Sequence, residues 1–268
     1  MILSVIMPVN RIDDFLKQSL LSVNFQTFKD FELLLICNKK ISKSLDFFVK
    51  SLNVNLNFKI IPTILDGVAF SANIGIDNAA GKYVARWDSD DLCDPNRFKF
   101  QIDELDKKPN LHVVGTKVDL IDENNNLIQF QKFKFFGDNL SIRRALKYRQ
   151  PLLHSALMFR KEILLANNGY LYGHTSEDHE LFIRIARDKN INFKNLENVK
   201  TFYRRHLNQL SNSLHLKKHF YETSAFLFSE FLRTLDIMYL IGMLANIPFA
   251  RKLRSFYRKC LQNLKKNY

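Results

Sequence analysis

Cysteine is scarce in this sequence: Cys37, Cys93 and Cys260 stand far apart. Three scattered thiols exclude a disulfide framework and a cysteine-based zinc site, and they fit a reducing cytoplasm. Long apolar runs are also missing. Met238 to Phe249 comes nearest to a membrane span, but it is short and carries Asn246 and Pro248. Met1 to Val9 is apolar but too short, and without a basic start, so no secretory signal is expected. No internal repeat or low-complexity linker divides the chain. Negative charge is in deficit: 27 acidic residues face 40 lysines and arginines, a formal net charge of +13. That excess points to an anionic partner, whether nucleic acid, anionic membrane or a phosphorylated substrate. No recognisable nucleic-acid motif accompanies it, so no nucleic acid partner is expected.

What is present suffices for a large core. The chain has 268 residues, 46% of them hydrophobic, enough for one large domain or a domain with an appendage. Apolar, β-branched runs at Ile2 to Val9, Phe31 to Cys37, Phe58 to Ile61, Tyr83 to Trp87 and His112 to Val118 read as strands. Between them, Asp13 to Phe25, Ser44 to Ser51, Ser71 to Ala80 and Arg97 to Leu105 carry apolar residues at helical spacing, with Asp13 or Asp14 as the first cap. Strands alternating with helices predict a parallel sheet covered on both faces. Asp122 to Asn126 reads as a hairpin turn. Phe133 to Phe136, with its lysines, reads as a solvated strand edge, and Asp178 to Arg187 as a further helix.

The chemistry concentrates at Asp88-Ser89-Asp90-Asp91, directly after the strand Tyr83 to Trp87. In an open α/β sheet the carboxyl ends of strands are where ligands bind. Three carboxylates in four positions repel one another unless a cation joins them. A divalent ion with oxygen ligands, shared with a diphosphate, is one solution. The other is an acidic turn before the next helix, with Asp94 as cap and Pro95 as first helical residue.

Beyond about Ser213 the pattern becomes purely helical. Phe220, Leu227, Phe231, Leu235 and Met238 share helical spacing. From Ala250 to Tyr268, Leu253, Phe256, Tyr257, Cys260, Leu261 and Leu264 fall on one face, basic residues take the rest, and no acidic residue occurs. This predicts a basic amphipathic helix suited to an anionic membrane surface. The alternative is that its apolar face packs on the catalytic domain or on a second subunit, as in a homodimer.

Five separated pieces carry a family resemblance. Ser4-Val5-Ile6-Met7-Pro8-Val9 opens the chain and Gln26-Thr27-Phe28 precedes the second strand. Gly81 to Asp91 runs on to Pro95, Arg97 and Gln101. His154, Met158-Phe159-Arg160, Gly169-Tyr170, Ser176-Glu177-Asp178 and Arg184 come next, then Tyr203-Arg204-Arg205-His206. In this order and spacing the sequence resembles the inverting family 2 glycosyltransferases of the bacterial surface-polysaccharide type, over about Leu3 to Ser211. The resemblance implies an α/β GT-A fold, a Rossmann-like mixed sheet with helices on both faces. With the change of pattern after Ser213, this predicts a catalytic domain over residues 1–213 and a helical extension over 214–268.

The implied reaction moves a sugar from a nucleotide-diphosphate donor, a UDP-sugar by family habit, to a saccharide or lipid-linked saccharide hydroxyl in lipopolysaccharide, lipooligosaccharide or capsule assembly. It implies peripheral attachment at the inner face of the cytoplasmic membrane. By the same resemblance Asp90, Asp88 and His206 hold Mn2+ or Mg2+. Pro8, Val9, Asn38, Asp66, Asn73, Arg86, Asp88 and Ser89 line the nucleotide-sugar site. Asp178, with Glu177, supplies the base, and His154 lies on the acceptor side. Arg204 or Arg205 is an alternative phosphate partner. One departure matters: where relatives end the second strand with aspartate, this chain has Cys37-Asn38-Lys39-Lys40. Asparagine can bond a base edge but offers no carboxylate to a ribose hydroxyl. That change is the only support for a second reading, a non-catalytic sugar-nucleotide or glycan-binding homologue.

Overall fold

The computed structural model describes residues 1–129, 133–173, 175–206 and 216–247. Its strands are β1 (Leu3–Val9), β2 (Phe31–Asn38), β3 (Phe58–Thr63), β4 (Tyr83–Arg86), β5 (Leu92–Cys93), β6 (Leu111–Ile121), β7 (Met158–Arg160) and β8 (Asn192–Arg204). They form one mixed sheet in the order β3-β2-β1-β4-β7-β6-β8-β5. The helices are α1 (Asp14–Asn24), α2 (Ser42–Ser51), α3 (Val68–Asn78), α4 (Arg97–Lys107), α5 (Asn139–Leu146), α6 (Lys161–Ala166), α7 (Glu177–Ile185), α8 (Leu216–Thr234) and α9 (Ile237–Asn246).

β3, β2, β1 and β4 are parallel, as the alternation of strand and helix predicts. β7 then runs antiparallel between β4 and β6. Side chains alternate across β1: Leu3, Val5, Met7 and Val9 join α1, α2 and α4 on one face, while Ile6 joins α3, α6 and α7 on the other. Both faces of the sheet are therefore dry, which is why its parallel strands read as continuous apolar runs. Gly81 lets the chain enter β4 against β1: a Cβ there would stand 2.6 Å from the backbone nitrogen of Ser4.

Several expectations shift. Pro62 lies inside β3 rather than after it; β3 is the sheet edge, where a missing N–H costs no ladder bond. β4 ends at Arg86, one residue before Trp87. Asp94 does not cap α4: its Oδ1 accepts from the Asn96 backbone, and the helix begins at Arg97. Residues 133–136 form no strand; Phe136 is buried with Lys134 Nζ 5.1 Å from its ring centre. The hairpin turn at Asp122 to Asn126 holds, closed by a bridge between Ile121 and Leu127.

The two C-terminal helices lie against the domain. α9 approaches so closely that a Cβ on Gly242 would stand 2.0 Å from the Lys147 carbonyl oxygen. Asp236 caps α9 and pairs with Lys147. The boundary expected at residue 213 and the basic helix expected over 250–268 lie outside the described residues.

Candidate active site

The parallel register brings the carboxyl ends of β1, β2 and β4 to one edge. Pro8 stands opposite Ile36, Val9 opposite Cys37, and Ile6 opposite Arg86. Pro8, Asn38 and the turn from Asp88 to Asp91 therefore rim one cleft, with Val9 buried in the core beside them, although up to 83 positions separate them in the chain. Trp87 is buried beside this rim, its indole N–H donating to Ser19 Oγ at 2.8 Å.

Arg86 is the organising cation of the turn. It is 1% exposed, and its guanidinium donates to the Ile6 carbonyl at 3.0 Å, to Asp88 Oδ1 at 2.8 Å and to His154 Nε2 at 3.1 Å. A guanidinium only donates, so His154 must present a lone pair to it. Burial and the Arg86 charge hold the imidazole well below its ordinary pKa, and so neutral. The Tyr170 hydroxyl closes on the same nitrogen. His154 thus bonds Tyr170 and Arg86, the same guanidinium that holds Asp88. Asn73 bonds Tyr170 as well: its amide donates to the Tyr170 carbonyl and accepts from the Tyr170 N–H, both at 2.8 Å. These two bonds hold Tyr170 to α3. Tyr170 is the member whose role sequence reasoning missed; the Gly169-Tyr170 pair was its only signal.

The three aspartates separate by environment. Asp91 is buried, its oxygens taken by Ser155 Oγ and the Arg204 backbone N–H, and burial beside Asp90 and Asp88 raises its pKa well above the carboxylate range. Arg204 is fully buried too. It donates to the Asp90 carbonyl at 2.8 Å, to Asn125 Oδ1 at 2.6 Å and to Gln18 Oε1 at 2.9 Å. It staples the end of β8 under the acidic turn, which removes it as a phosphate partner and leaves the half-buried Arg205. Asp88 and Asp90 keep part of their side chains open to solvent. Asp90 Oδ2 lies 2.9 Å from His206 Nε2, and Ser89 is half-buried between the two aspartates.

Across the cleft, α7 presents Glu177 and Asp178 in its first turn. The charge of Asp178, behind burial and that of Asp90, raises the pKa of Asp88, with Arg86 opposing. Glu177 is 8% exposed, and its Oε2 has no hydrogen-bond partner among the described residues. Burial, then the neighbouring Asp178 charge, pushes its carboxyl up to about 7. Asp178 is more open, with Oδ1 accepting from the His179 backbone at 2.7 Å. At the far rim, Asn38 Nδ2 donates to Asp66 Oδ1 at 3.1 Å. A carboxylate from a neighbouring loop therefore lies beside the end of β2.

Among the described residues no three metal-ligating side chains gather closely enough to hold an ion by themselves. Asp90 and His206 are hydrogen-bonded to each other, and two such side chains with phosphate oxygens are the kind of donor set a divalent cation at a diphosphate would take. That is the usual manner of binding Mg2+ at diphosphate sites.

The model of glycosyl transferase family 2 matches residues 4–169, the strands and turn that build this cleft. The chain belongs to that family. It is 31% identical over 236 residues to the O-antigen biosynthesis glycosyltransferase WbnJ of Escherichia coli, covering 86% of this chain and 89% of that one. It is 26% identical over 171 residues to the Escherichia coli UDP-Gal:alpha-D-GlcNAc-diphosphoundecaprenol beta-1,3-galactosyltransferase, covering 63% of this chain and 62% of that one. Among solved structures, S. aureus TarS 1-349 in complex with UDP-GlcNAc superposes with a TM-score of 0.67 at 18% identity, over 91% of this chain and 71% of that one. At that identity the likeness establishes the fold, and it is the GT-A fold that the sequence resemblance implied.

Proposed function

We propose that this family 2 glycosyltransferase inverts configuration while moving a sugar from a UDP-sugar to a hydroxyl of a lipid-linked saccharide during surface-polysaccharide assembly. One observation carries the reading: Asp178, ninety positions after Asp88 and on α7, lies close enough that its charge, after burial and the charge of Asp90, helps to raise the pKa of Asp88 at the end of β4. An inverting transfer needs two groups in opposition. The leaving diphosphate gathers negative charge on one side of the anomeric carbon, and the base must stand on the other.

In this reading Asp178 accepts the proton of the acceptor hydroxyl as its oxygen bonds the anomeric carbon. The bond from that carbon to the diphosphate oxygen breaks, and the electron pair leaves with the nucleoside diphosphate. Glu177, largely unavailable to solvent and titrating near neutrality, keeps the negative charge around the base low. Arg86 fixes Asp88, and Asn38 with Asp66 offers an amide and a carboxylate to the nucleoside. Asp90, His206 and Asp88 would hold Mn2+ or Mg2+, which when bound neutralises charge on the diphosphate. WbnJ and the galactosyltransferase, by their names, act in O-antigen biosynthesis and on a diphosphoundecaprenol-linked acceptor, which supports the acceptor class.

A melting-temperature screen of UDP-sugars with and without Mn2+ tests the donor assignment, since a true donor stabilises by mass action. UDP-galactose or UDP-N-acetylglucosamine should raise the melting temperature only with Mn2+, and Asp90→Ala should abolish that rise while the protein stays folded. An unchanged Mn2+-dependent rise in Asp90→Ala would remove Asp90 from the metal site. The same reading sets the C-terminal end at an anionic membrane. Leu235, Ile237, Ile241 and Leu244 are exposed along and beside α9, immediately before the basic segment. No helix among the described residues is long and apolar enough to cross a bilayer.

A further inference from the structure

α8 lies outside the stretch matched by the family model, yet it is bonded to the turn that carries the acidic pair. Glu222 Oε2 accepts from the Thr175 backbone N–H at 2.9 Å and from Thr175 Oγ1 at 3.1 Å. His219 Nδ1 lies 3.0 Å from the Thr175 carbonyl and 2.7 Å from Ser176 Oγ. A carbonyl can only accept, so Nδ1 carries the proton, and the tautomer is fixed by this contact. Ser176 Oγ also meets Thr223 Oγ1 at 3.0 Å, and both residues are buried.

Ser176 occupies the N-cap position of α7, the place where a serine hydroxyl ordinarily bonds its own helix. Here it makes no such bond. The hydroxyl is diverted to α8, so the start of α7 is held from outside. Gly173, at φ +97, completes the arrangement: a Cβ there would stand 2.9 Å from the Glu177 nitrogen, so the preceding loop lies directly on the helix start. At the other end of α7, Arg187 donates to Glu230, which is 1% exposed on α8. α8 therefore grips α7 at both ends, and the front grip is one residue from Glu177.

We propose that Glu222 and His219 of α8 are positioning residues that set the place of the Glu177-Asp178 pair in the cleft, so that the C-terminal helices are part of the catalytic machinery. This rests on the reading of Asp178 as the base. Neither residue touches substrate. Their effect passes through Thr175 and Ser176, and displacing a reacting group by about 1 Å can cost as much as a hundredfold in rate.

The test compares Glu222→Ala and His219→Phe with Glu222→Gln and His219→Asn in the full chain. Gln keeps an acceptor for Thr175, and Asn keeps a donor near the place of Nδ1. Read-outs are release of UDP from UDP-galactose or UDP-N-acetylglucosamine, affinity for UDP with Mn2+, and hydrogen exchange of the amides of residues 175–178. The first two variants should lose roughly tenfold or more in kcat, keep UDP affinity within twofold and exchange those amides faster, while Gln and Asn recover most of the rate. An unchanged kcat in folded Glu222→Ala and His219→Phe overturns the proposal. So does an equal loss in all four variants, which marks α8 as general packing. If Glu222→Ala does not fold, the His219→Phe and His219→Asn pair decides alone. Asp178→Asn run alongside separates the two ideas: if it keeps turnover, the base assignment fails whatever α8 does.

Discussion

At the scale of single residues, neighbours in sequence receive opposite environments. Glu177 and Asp178 are adjacent, yet Glu177 is buried with an unspent carboxylate oxygen while Asp178 is half open. Asp178→Asn keeps the shape and cannot take a proton. It should leave UDP affinity within a few-fold and cut turnover by about a hundredfold or more; near-normal turnover would transfer the base to Glu177. Glu177 makes a separate prediction in stability. Its folded pKa of about 7 lies above the ordinary 4.5, so the fold favours the protonated form. That contribution is complete below the unfolded value and is lost as pH rises through about 7. Glu177→Gln, permanently neutral, should gain on the parent protein by about 3 kcal/mol between pH 4 and pH 8, by urea unfolding. Parallel stability curves would contradict the burial argument.

At the scale of elements, strand register decides the site. β1 and β4 meet closely because Gly81 has no side chain, and that contact carries the acidic turn to the rim that β1 and β2 share. Gly81→Ala places a methyl 2.6 Å from a backbone atom of β1, which cannot rotate away. The expected cost is about 1–3 kcal/mol, seen as a lower melting temperature, together with weaker UDP affinity as β4 shifts. A variant with unchanged melting temperature would mean the strands separate without penalty. The parallel strands β1, β2 and β4 were legible in the sequence within a residue or two because they are almost wholly apolar and buried, and the edge strand β3 because Phe58, Ile60 and Ile61 run together. β8 was not. Its sequence mixes lysines and asparagines among apolar residues, and its pairing with β6 shifts register between Thr116 and Lys117, so no period of two survives. Phe133 to Phe136 misled in the other direction: alternation of lysine and phenylalanine fits a strand, but the segment pairs with none.

At the scale of the molecule, the C-terminal helices join two tasks. α8 bonds the turn before Glu177, and the sequence beyond α9 alternates basic and apolar residues in the pattern proposed to meet a lipid surface. A chain ending at Ile247 keeps α8 and α9. It should fold, keep UDP affinity, and lose most of its binding to liposomes containing phosphatidylglycerol, binding that in the full chain weakens as salt rises. Equal binding by both chains would place the lipid contact in the domain itself. The sequence by itself determined the class of sheet, the family, and which carboxylates are chemically available, because apolar periodicity and motif order are local properties of the chain. How exposed each of them is was decided only by tertiary structure. Asp91 and Asp88 are equivalent in sequence, but Ser155 and Arg204 enclose one and the cleft exposes part of the other. The bonds from Arg86 to His154 and between Asn73 and Tyr170 are equally absent from any local pattern. Burial and hydrogen-bond partners come from residues tens of positions away, and no local pattern records them.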